Sequence, residues 1–456
     1  MSLPIFPPLI NATLTAFACC LIFAGYTLLL VIWKQKNKKF WKLLTIVSAS
    51  GVAIICLYFV FYFISSISGR SQVNAEWEKI AKAGLKTQAK DLLPNKMLPS
   101  SKNAANLYKA AFNILKSDDF STKYYDIAVI KNKKYKVKKM SQLKKQAILD
   151  LANRTSVVNA VKLFSRGAAK EIAFNERNYK GFATILPNLN NNRSLIRAVC
   201  LKIRALALEG KNDEAFKLSA EVLKFVYQFR NEPLLIDHLV LIACLYLDIE
   251  TLDYLLENHP VDTKNARKLI AHINKINLNQ AVKKGINGEI TICIKDGFEK
   301  LVKGEYDILM NLLAAKRTPF DDLIYLNPFL YQKYAKNLNG SLQIYKMFDQ
   351  PYWQIKDKVK AFVPKRKNNL DDSFFSMAIV RTKTANMNSA INKTRITLAL
   401  HIYKNQNGSF PEKLSDLVPA ILPEIKADPL TGKPLNYEKT AKSFKLSGYY
   451  KFRKKL

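Results

Sequence analysis

Two long stretches without a charged residue lie near the N-terminus, and they constrain the fold more than any other feature of the sequence. The first runs from Leu9 to Trp33 and the second from Leu43 to Ile67. About twenty consecutive apolar residues allow a helix to cross the hydrocarbon core of a bilayer. Residues 1–69 are therefore predicted to form a transmembrane hairpin of two helices, with spans at about 9–33 and 43–67,. The lipid bilayer is the first expected partner.

The short loop between the two stretches, residues 34–42, reads KQKNKKFWK and carries five lysines. A loop of this length makes the two helices antiparallel, and lysine-rich loops favour the cytoplasmic side. We therefore expect a two-pass protein with residues 34–42 in the cytoplasm and both termini outside. The first stretch lacks a basic start, which argues against a signal peptide. Four basic residues after the second stretch favour the opposite orientation: Arg70, Lys79, Lys82 and Lys86.

The charge balance of the chain is strongly basic. Its 456 residues include 72 Lys and Arg against 36 Asp and Glu, a formal net charge of +36. Lysine dominates over arginine, whereas nucleic-acid readers favour the arginine fork, so we do not expect nucleic acid as the partner. One basic run is a candidate interaction patch for anionic lipid or polymer, although a solvated turn is the favoured interpretation. Its residues are Lys131, Lys133, Lys134, Lys136, Lys138 and Lys139.

Residues 70–372 show the apolar spacing of amphipathic helices. The clearest segment lies near residues 193–230, where two helical patterns flank the turn GKND. Gly210 suits the end of the first helix, and Asn212 or Asp213 suits the start of the second. The segment is similar to a tetratricopeptide hairpin, but no second copy follows at a spacing of about 34 residues. An α-helical domain built as a stack of hairpins is the expected architecture.

The C-terminal segment, residues 373–456, combines a long helical pattern with closely spaced prolines and glycines. The long helix is predicted from Ser373 to Gln406, Gly408 stops it, and Pro411 opens a short helix. The turn sequence DPLTGKP precedes two alternating stretches, LNYE and SFKLSGYY, which predict a β-hairpin,. The expected fold is thus mainly α with a small α+β cap. Three cap side chains are predicted to pack against the long helix: Tyr437, Phe444 and Leu446.

No catalytic, cofactor-binding or metal-binding motif emerges from the sequence. The four histidines lack metal-ligand spacing, and the six cysteines contain no C-x-x-C pair, so they read as small buried hydrophobes,. The strongest candidate is a polar cluster of Glu232, Asp237 and His238 on an otherwise apolar helix. Acid–base chemistry is one interpretation, but a histidine satisfied within the core is favoured. We therefore assign no catalytic residue, cofactor or metal.

Two resemblances extend these observations. The order HIYKNQNGSFPEKLSDLV, ADPLTGKPLNYE and SFKLSGYY, over roughly residues 395–450, resembles the C-terminal region of type II secretion pseudopilins. The pseudopilin N-terminal signal and the Asp-rich calcium loop are missing, so pilus assembly and calcium binding do not carry over. NAANLYKAAF, LALEGKNDEAFKL, NEPLLIDHLV and DPLTGKPLNY are together similar to uncharacterised membrane-anchored helical proteins of planctomycete- and verrucomicrobia-type bacteria. This second resemblance implies a location in the bacterial cytoplasmic (inner) membrane and no assigned activity.

The favoured hypothesis is a membrane-anchored envelope protein that displays a helical interaction or scaffold domain outside the cytoplasmic membrane. Its expected partners are other envelope proteins or an anionic envelope polymer. Two alternatives stay open: a cell-envelope hydrolase with a dispersed active site, and a cytoplasm-facing basic domain that binds anionic lipid or nucleic acid. A polar cleft around His238 or Glu232 would favour the hydrolase. Binding that collapses with salt would favour the basic domain.

Overall fold

The structure is a computed structural model that describes residues 25, 38–94, 99–128, 142–179, 184, 189–303, 328–362, 372–441 and 443–448. Within these residues the fold is mainly helical, with one antiparallel strand pair near the C-terminus. The predicted fold class, mainly α with a C-terminal β-hairpin, is confirmed at this level.

The described helices and strands follow one another along the chain with short connections. The first helices are α1 (Lys38–Lys82), α2 (Ala105–Ser117), α3 (Phe120–Ala128), α4 (Gln142–Ala152), α5 (Thr155–Ala168), α6 (Leu189–Leu208) and α7 (Asn212–Gln228). Next come α8 (Leu235–Asn258), α9 (Thr263–Lys275), α10 (Leu278–Gly288), a π-helix (Glu289–Ile294) and α11 (Lys295–Lys303). The last are α12 (Leu330–Met347), α13 (Tyr352–Ala361), α14 (Asp372–Asn407), a 3₁₀ turn (Leu414–Leu417), β1 (Asn436–Lys439) and β2 (Phe444–Ser447).

The chain divides into two compact units, and each is built from segments that are distant in sequence. The first unit comprises residues 1–89, 179–184 and 290–342, and the second comprises residues 90–178, 185–289 and 343–456. The predicted borders after residues 69 and 372 stay predictions. Helix α1 itself continues through Gly69 without a break.

Helix α1 changes its environment along its length. From Leu43 to Phe61 the described side chains are exposed or half-buried on every side of the helix. From Tyr62 onward one face is buried within the first unit, at three- and four-residue spacing,. The residues of this face are Tyr62, Ser65, Ser66, Gly69, Val73, Glu76 and Ile80.

The buried face of α1 is held by the start of α12 and the residues before it. The Ser65 hydroxyl donates to the Pro328 carbonyl oxygen over 2.6 Å, and the Gln332 amide donates to the Ser65 carbonyl oxygen over 2.6 Å. Gly69 lies directly against Tyr331, since a Cβ atom built on it would stand 2.6 Å from the Tyr331 Cβ. These contacts fix α1 to its unit through a small residue and a buried hydroxyl.

One helix among the described residues, over residues 45–82, is long and apolar enough to cross a membrane. Residues 9–33 lie outside the described residues apart from Gly25, so a two-helix hairpin is not established by the structure. The predicted loop at residues 34–42 is partly wrong, because α1 already begins at Lys38. Lysine is a good helix former, and nothing in KKFWK interrupts the helix that follows.

The second unit contains the helical hairpin expected near residues 193–230. Gly210 adopts a positive φ of 79° and ends α6, because its backbone reaches a conformation that side chains disfavour,. Helix α7 begins at Asn212 with Lys211 in the capping position, so the predicted cap at Asn212 or Asp213 is off by one or two residues. Asp213 and Glu214 in its first turn complement the helix dipole,.

The C-terminal cap begins where α14 ends. Gly408, with a φ of 75°, terminates α14, and β1 pairs with β2 in a register that places Tyr437 opposite Leu446. As predicted, β2 packs against α14, where the Phe444 ring lies 6.2 Å from His401.

The short helix predicted to open at Pro411 is wrong. This region contains only the 3₁₀ turn Leu414–Leu417. Pro419 disfavours helical backbone at the residue before it, and Val418 is accordingly extended,. The helix therefore cannot continue past Leu417.

Candidate functional site

The turn between α7 and α8 brings the predicted polar residues together. Glu232 lies in this turn, Asp237 and His238 lie in the first turn of α8, and all three are buried. Their main partner is Arg177, which the sequence did not single out. Its guanidinium donates to both carboxylate oxygens of Asp237 over 2.8 Å each and lies 3.7 Å from Glu232 Oε2. Arg177 precedes Asp237 by 60 residues, so no local spacing pointed to it.

Glu232 is held on its other side by Asn175. The backbone N–H and the side-chain amide of Asn175 both donate to Glu232 Oε1, over 2.8 and 2.9 Å. Burial, followed by the charge of Asp237, raises the pKa of Glu232 to about 8, although Arg177 and Asn175 oppose the rise. Glu232 therefore keeps its proton at neutral pH, and Arg177 balances the charge of Asp237. Such a neutral, closed cluster is suited to fixing the extended segment 173–178 on the α7–α8 turn.

His238 extends this cluster toward the surface. Its Nε2–H donates to the Glu232 carbonyl oxygen over 2.8 Å, which leaves Nδ1 as a bare acceptor,. Burial lowers the pKa of His238 to about 4, so the imidazole is neutral at pH 7. Among the described residues Nδ1 has no hydrogen-bond partner. Gly285 of α10 makes room for the ring, because a Cβ atom there would lie 2.6 Å from His238 Cδ2.

A cleft of about 270 Å³ opens beside His238, and we call it the His238 cleft. It lies among the end of α7, the first half of α8 and the junction of α9 with α10. Apolar side chains and the imidazole form part of its lining, and three cationic side chains join them: Arg230, Lys275 and Lys284. The carboxylates of Glu232 and Asp237 are not part of the lining. The cleft therefore presents positive charge and one neutral acceptor.

A second cleft of about 480 Å³, the cap cleft, lies where α8 and α14 meet the C-terminal cap. Phe410 and Phe444 line it, with ring centroids 4.9 Å apart. Burial, and then the charge of Lys404, lowers the pKa of His401 in its wall to about 4. Burial also lowers the pKa of His259. The sequence missed this cleft because its lining comes from three segments that are distant along the chain.

The chemistry expected of metals and thiols is not assembled in the described residues. These contain no group of three or more His, Cys, Asp or Glu side chains placed to hold a metal ion. Cys200, Cys244 and Cys293 are buried, as the sequence indicated. Burial raises the pKa of Cys244 to about 12 and that of Cys200 further still. These two thiols are therefore protonated and unreactive.

The candidate basic patch, Lys131 to Lys139, lies outside the described residues and stays a prediction. No protein-family model, curated protein or solved structure matches this chain. Both resemblances described from the sequence therefore also stay predictions.

Proposed function

We propose that this chain is a membrane-anchored envelope protein that displays a helical domain for binding partners outside the cytoplasmic membrane. The observation that carries the proposal is the N-terminal half of α1. Of the fourteen large hydrophobic residues that are exposed among the described residues, twelve lie between Leu43 and Ile67. An exposed apolar surface of this extent marks an interaction with membrane or protein.

The length of this surface favours a membrane. Twenty-five helical residues, 43–67, span about 37 Å at about 1.5 Å per residue, enough for a hydrocarbon core of about 30 Å. No charged residue interrupts them, whereas Lys39 and Lys42 precede them and Arg70 follows. Basic residues at both ends of an apolar helix favour the headgroup regions of a bilayer.

The finer topology is also part of the proposal. The uncharged residues 9–33 would form a first span, and the lysines between the spans would hold residues 34–42 in the cytoplasm,. The large second unit would then lie outside the membrane. There its two clefts and its positive charge would meet other envelope proteins or an anionic envelope polymer. The likeness of the cap to the pseudopilin C-terminal region supports the same side of the membrane.

The hydrolase alternative gains a cleft but no catalytic pair. His238 lines the cleft, yet the carboxylates of Glu232 and Asp237 face Arg177 and Asn175 instead. A general acid or base must reach the proton that it transfers, directly or through one water. We therefore favour binding over hydrolysis.

Cysteine labelling in intact cells tests both the anchor and the topology. Three full-length variants are compared: Ser2→Cys, Asn37→Cys and Ser409→Cys. Ser409 is exposed in the turn after α14. A membrane-impermeant maleimide is added before or after permeabilisation, with the parent protein as control. Its described cysteines in the second unit are buried and should stay unlabelled.

The proposal predicts that Ser2→Cys and Ser409→Cys react in intact cells and that Asn37→Cys reacts only after permeabilisation. If Ser2→Cys behaves like Asn37→Cys, the chain crosses the membrane once. If Ser409→Cys reacts only after permeabilisation, display outside the membrane is wrong and the cytoplasm-facing basic domain becomes the leading hypothesis. Recovery of the parent protein in the soluble fraction would refute the anchor itself.

A further inference from the structure

The His238 cleft concentrates positive charge without a compensating acid. None of the described residues that line it is acidic. Lys284 donates to Asn231 Oδ1 over 2.7 Å, and Arg230 donates to the Tyr227 carbonyl oxygen over 3.0 Å. A guanidinium has five donors and an ammonium has three. Both side chains therefore retain donors for an anion.

The two cations also oppose each other. Burial, followed by the charge of Arg230, lowers the pKa of Lys284. A bound anion would relieve this repulsion and would interact strongly with a cation that is partly withdrawn from water. The charge of the cleft thus selects for a ligand that carries a carboxylate or a phosphate.

His238 supplies an independent selection. Its side chain is 2% exposed, and its unpartnered Nδ1 belongs to a residue of the cleft wall. A buried acceptor without a partner is costly, and buried polar atoms are normally satisfied. Because Nε2–H is committed to the Glu232 carbonyl oxygen, Nδ1 can only accept. The group that satisfies it must be an O–H or an N–H donor.

The remaining lining sets the size and the polarity of the ligand. The apolar side chains of Val226, Leu241, Ile242, Leu278 and Val282 belong to the cleft. A volume of about 270 Å³ lies at the small end of ligand pockets, which run from about 300 to 1,000 Å³. A compact molecule with a short branched apolar body fits this description, whereas a polymer segment does not.

We infer that the His238 cleft binds a small organic anion whose carboxylate or phosphate contacts Arg230 and Lys284 and whose hydroxyl or N–H donates to His238 Nδ1. Its apolar body packs against Leu241 and Val282. This site is independent of the side of the membrane on which the domain lies.

Calorimetric titration of the detergent-solubilised full chain tests the inference with matched probes. The first pair is 2-hydroxy-4-methylpentanoate and 4-methylpentanoate, which differ only in the hydroxyl group. The second pair is 2-hydroxy-3-methylbutyl phosphate and 3-methylbutyl phosphate. The hydroxylated member of at least one pair should bind at least tenfold more tightly than its partner. The pair that binds identifies the anion.

Two variants test the cations, and one serves as the control. Arg230→Gln and Lys284→Gln should each weaken binding of the hydroxylated probe by tenfold or more. Lys217→Gln removes the same charge from an exposed position of α7 that does not line the cleft and should leave binding unchanged. Thermal unfolding of each variant verifies that it remains folded. Lys284→Gln carries the test if Arg230→Gln fails to fold.

Nitrogen-15 NMR of the four histidines reads the proposed contact directly. The His238 Nδ1 resonance, identified by its absence in His238→Gln, should shift with the hydroxylated probe and stay in place with its partner. Three results would overturn the inference: no saturable binding of any probe, equal binding by Lys284→Gln and the parent protein, or an unmoved His238 resonance at saturation.

Discussion

Helices α1 and α14 are the two longest described helices, and neither has one polar and one apolar face, but their environments are opposite. The first half of α1 is almost purely apolar and is exposed all around. Helix α14 is rich in polar residues, yet from Ala378 to Tyr403 only Lys383 is exposed. The apolar helix thus lies on the outside of the molecule and the polar helix lies within it.

The difference shows that hydropathy alone does not rank burial in this chain. Polar residues are accommodated in α14 because specific partners satisfy them. Arg381 donates to the carbonyl oxygens of Met347 and Gln350, and Thr394 donates to Asp253 over 3.1 Å. The apolar residues of α1 between Leu43 and Phe61 have no protein partner of comparable extent. A bilayer is the environment that would satisfy them.

Leu398→Lys should have the largest effect. Leu398 is fully buried on α14, and its loss alone should cost about 2–5 kcal/mol of unfolding free energy, as for Leu→Ala in a core. The buried charge adds to this cost because no acid stands ready to pair with it. Chemical unfolding of the solubilised protein measures the loss, and Leu398→Met, which conserves volume, should cost less than about 1.5 kcal/mol. Equal stability of Leu398→Lys and the parent protein would show that α14 is not the core.

Leu57→Lys makes the same change on α1, where the side chain is 68% exposed. The unfolding free energy of the domain should change by less than about 0.5 kcal/mol. Membrane insertion should instead become less favourable by about 2.5–3.5 kcal/mol, the cost of a lysine near the centre of a span. The fraction of protein that resists alkaline carbonate extraction measures this, with Leu57→Phe as the apolar control. If Leu57→Lys stays fully membrane-bound but unfolds more easily, α1 packs against protein rather than lipid.

Gly69→Ala and Gly51→Ala separate the two halves of α1. A Cβ atom at Gly69 would lie 2.6 Å from the Tyr331 Cβ, whereas a Cβ atom at Gly51 meets nothing within 4 Å. Gly69→Ala should therefore destabilise the first unit by about 1–3 kcal/mol through overpacking. Gly51→Ala should be tolerated. Protease resistance of the solubilised protein compares the two, and equal loss in both would contradict the boundary drawn at Tyr62.

The sequence predicted these elements best where local signals were strong. Helix α14 was expected from Ser373 to Gln406 and runs from Asp372 to Asn407, because an uninterrupted helical pattern ends at Gly408. The β-hairpin followed from period-two alternation. The helix expected after Pro411 failed because Pro419 acts on the residue before it. The lysine loop failed in part because its lysines are themselves good helix formers.

The candidate sites followed the same rule. Glu232, Asp237 and His238 stand within seven positions of one another, so the sequence could group them. Arg177 and Asn175 join them only through the tertiary fold, over 57 to 60 residues. The environment of α14 was hidden for the same reason. Its partners lie at Met347, Gln350 and Asp253, and no helical period predicts that a polar helix will meet them.

His401→Gln gives the smallest effect and tests whether α14 is buried at its C-terminal end. Burial lowers the pKa of His401 to about 4, so between pH 4 and about 6.5 the unfolded chain binds a proton that the folded chain excludes. Stability is therefore lost as the pH falls through this window. By pH 5 the loss due to His401 should be about 1–2 kcal/mol, with an additional loss of the same sign from His238.

The unfolding free energy of the parent protein and of His401→Gln, each measured at pH 7.5 and pH 5, isolates this contribution. The difference at pH 7.5 reports the packing of the side chain, and the change in that difference at pH 5 reports its titration. A smaller acid loss in His401→Gln would mean that water does not reach α14 beneath the cap. Equal acid loss in both proteins would mean that His401 titrates as in water. The contrast with α1 would then hold only for the part of α14 that precedes the cap.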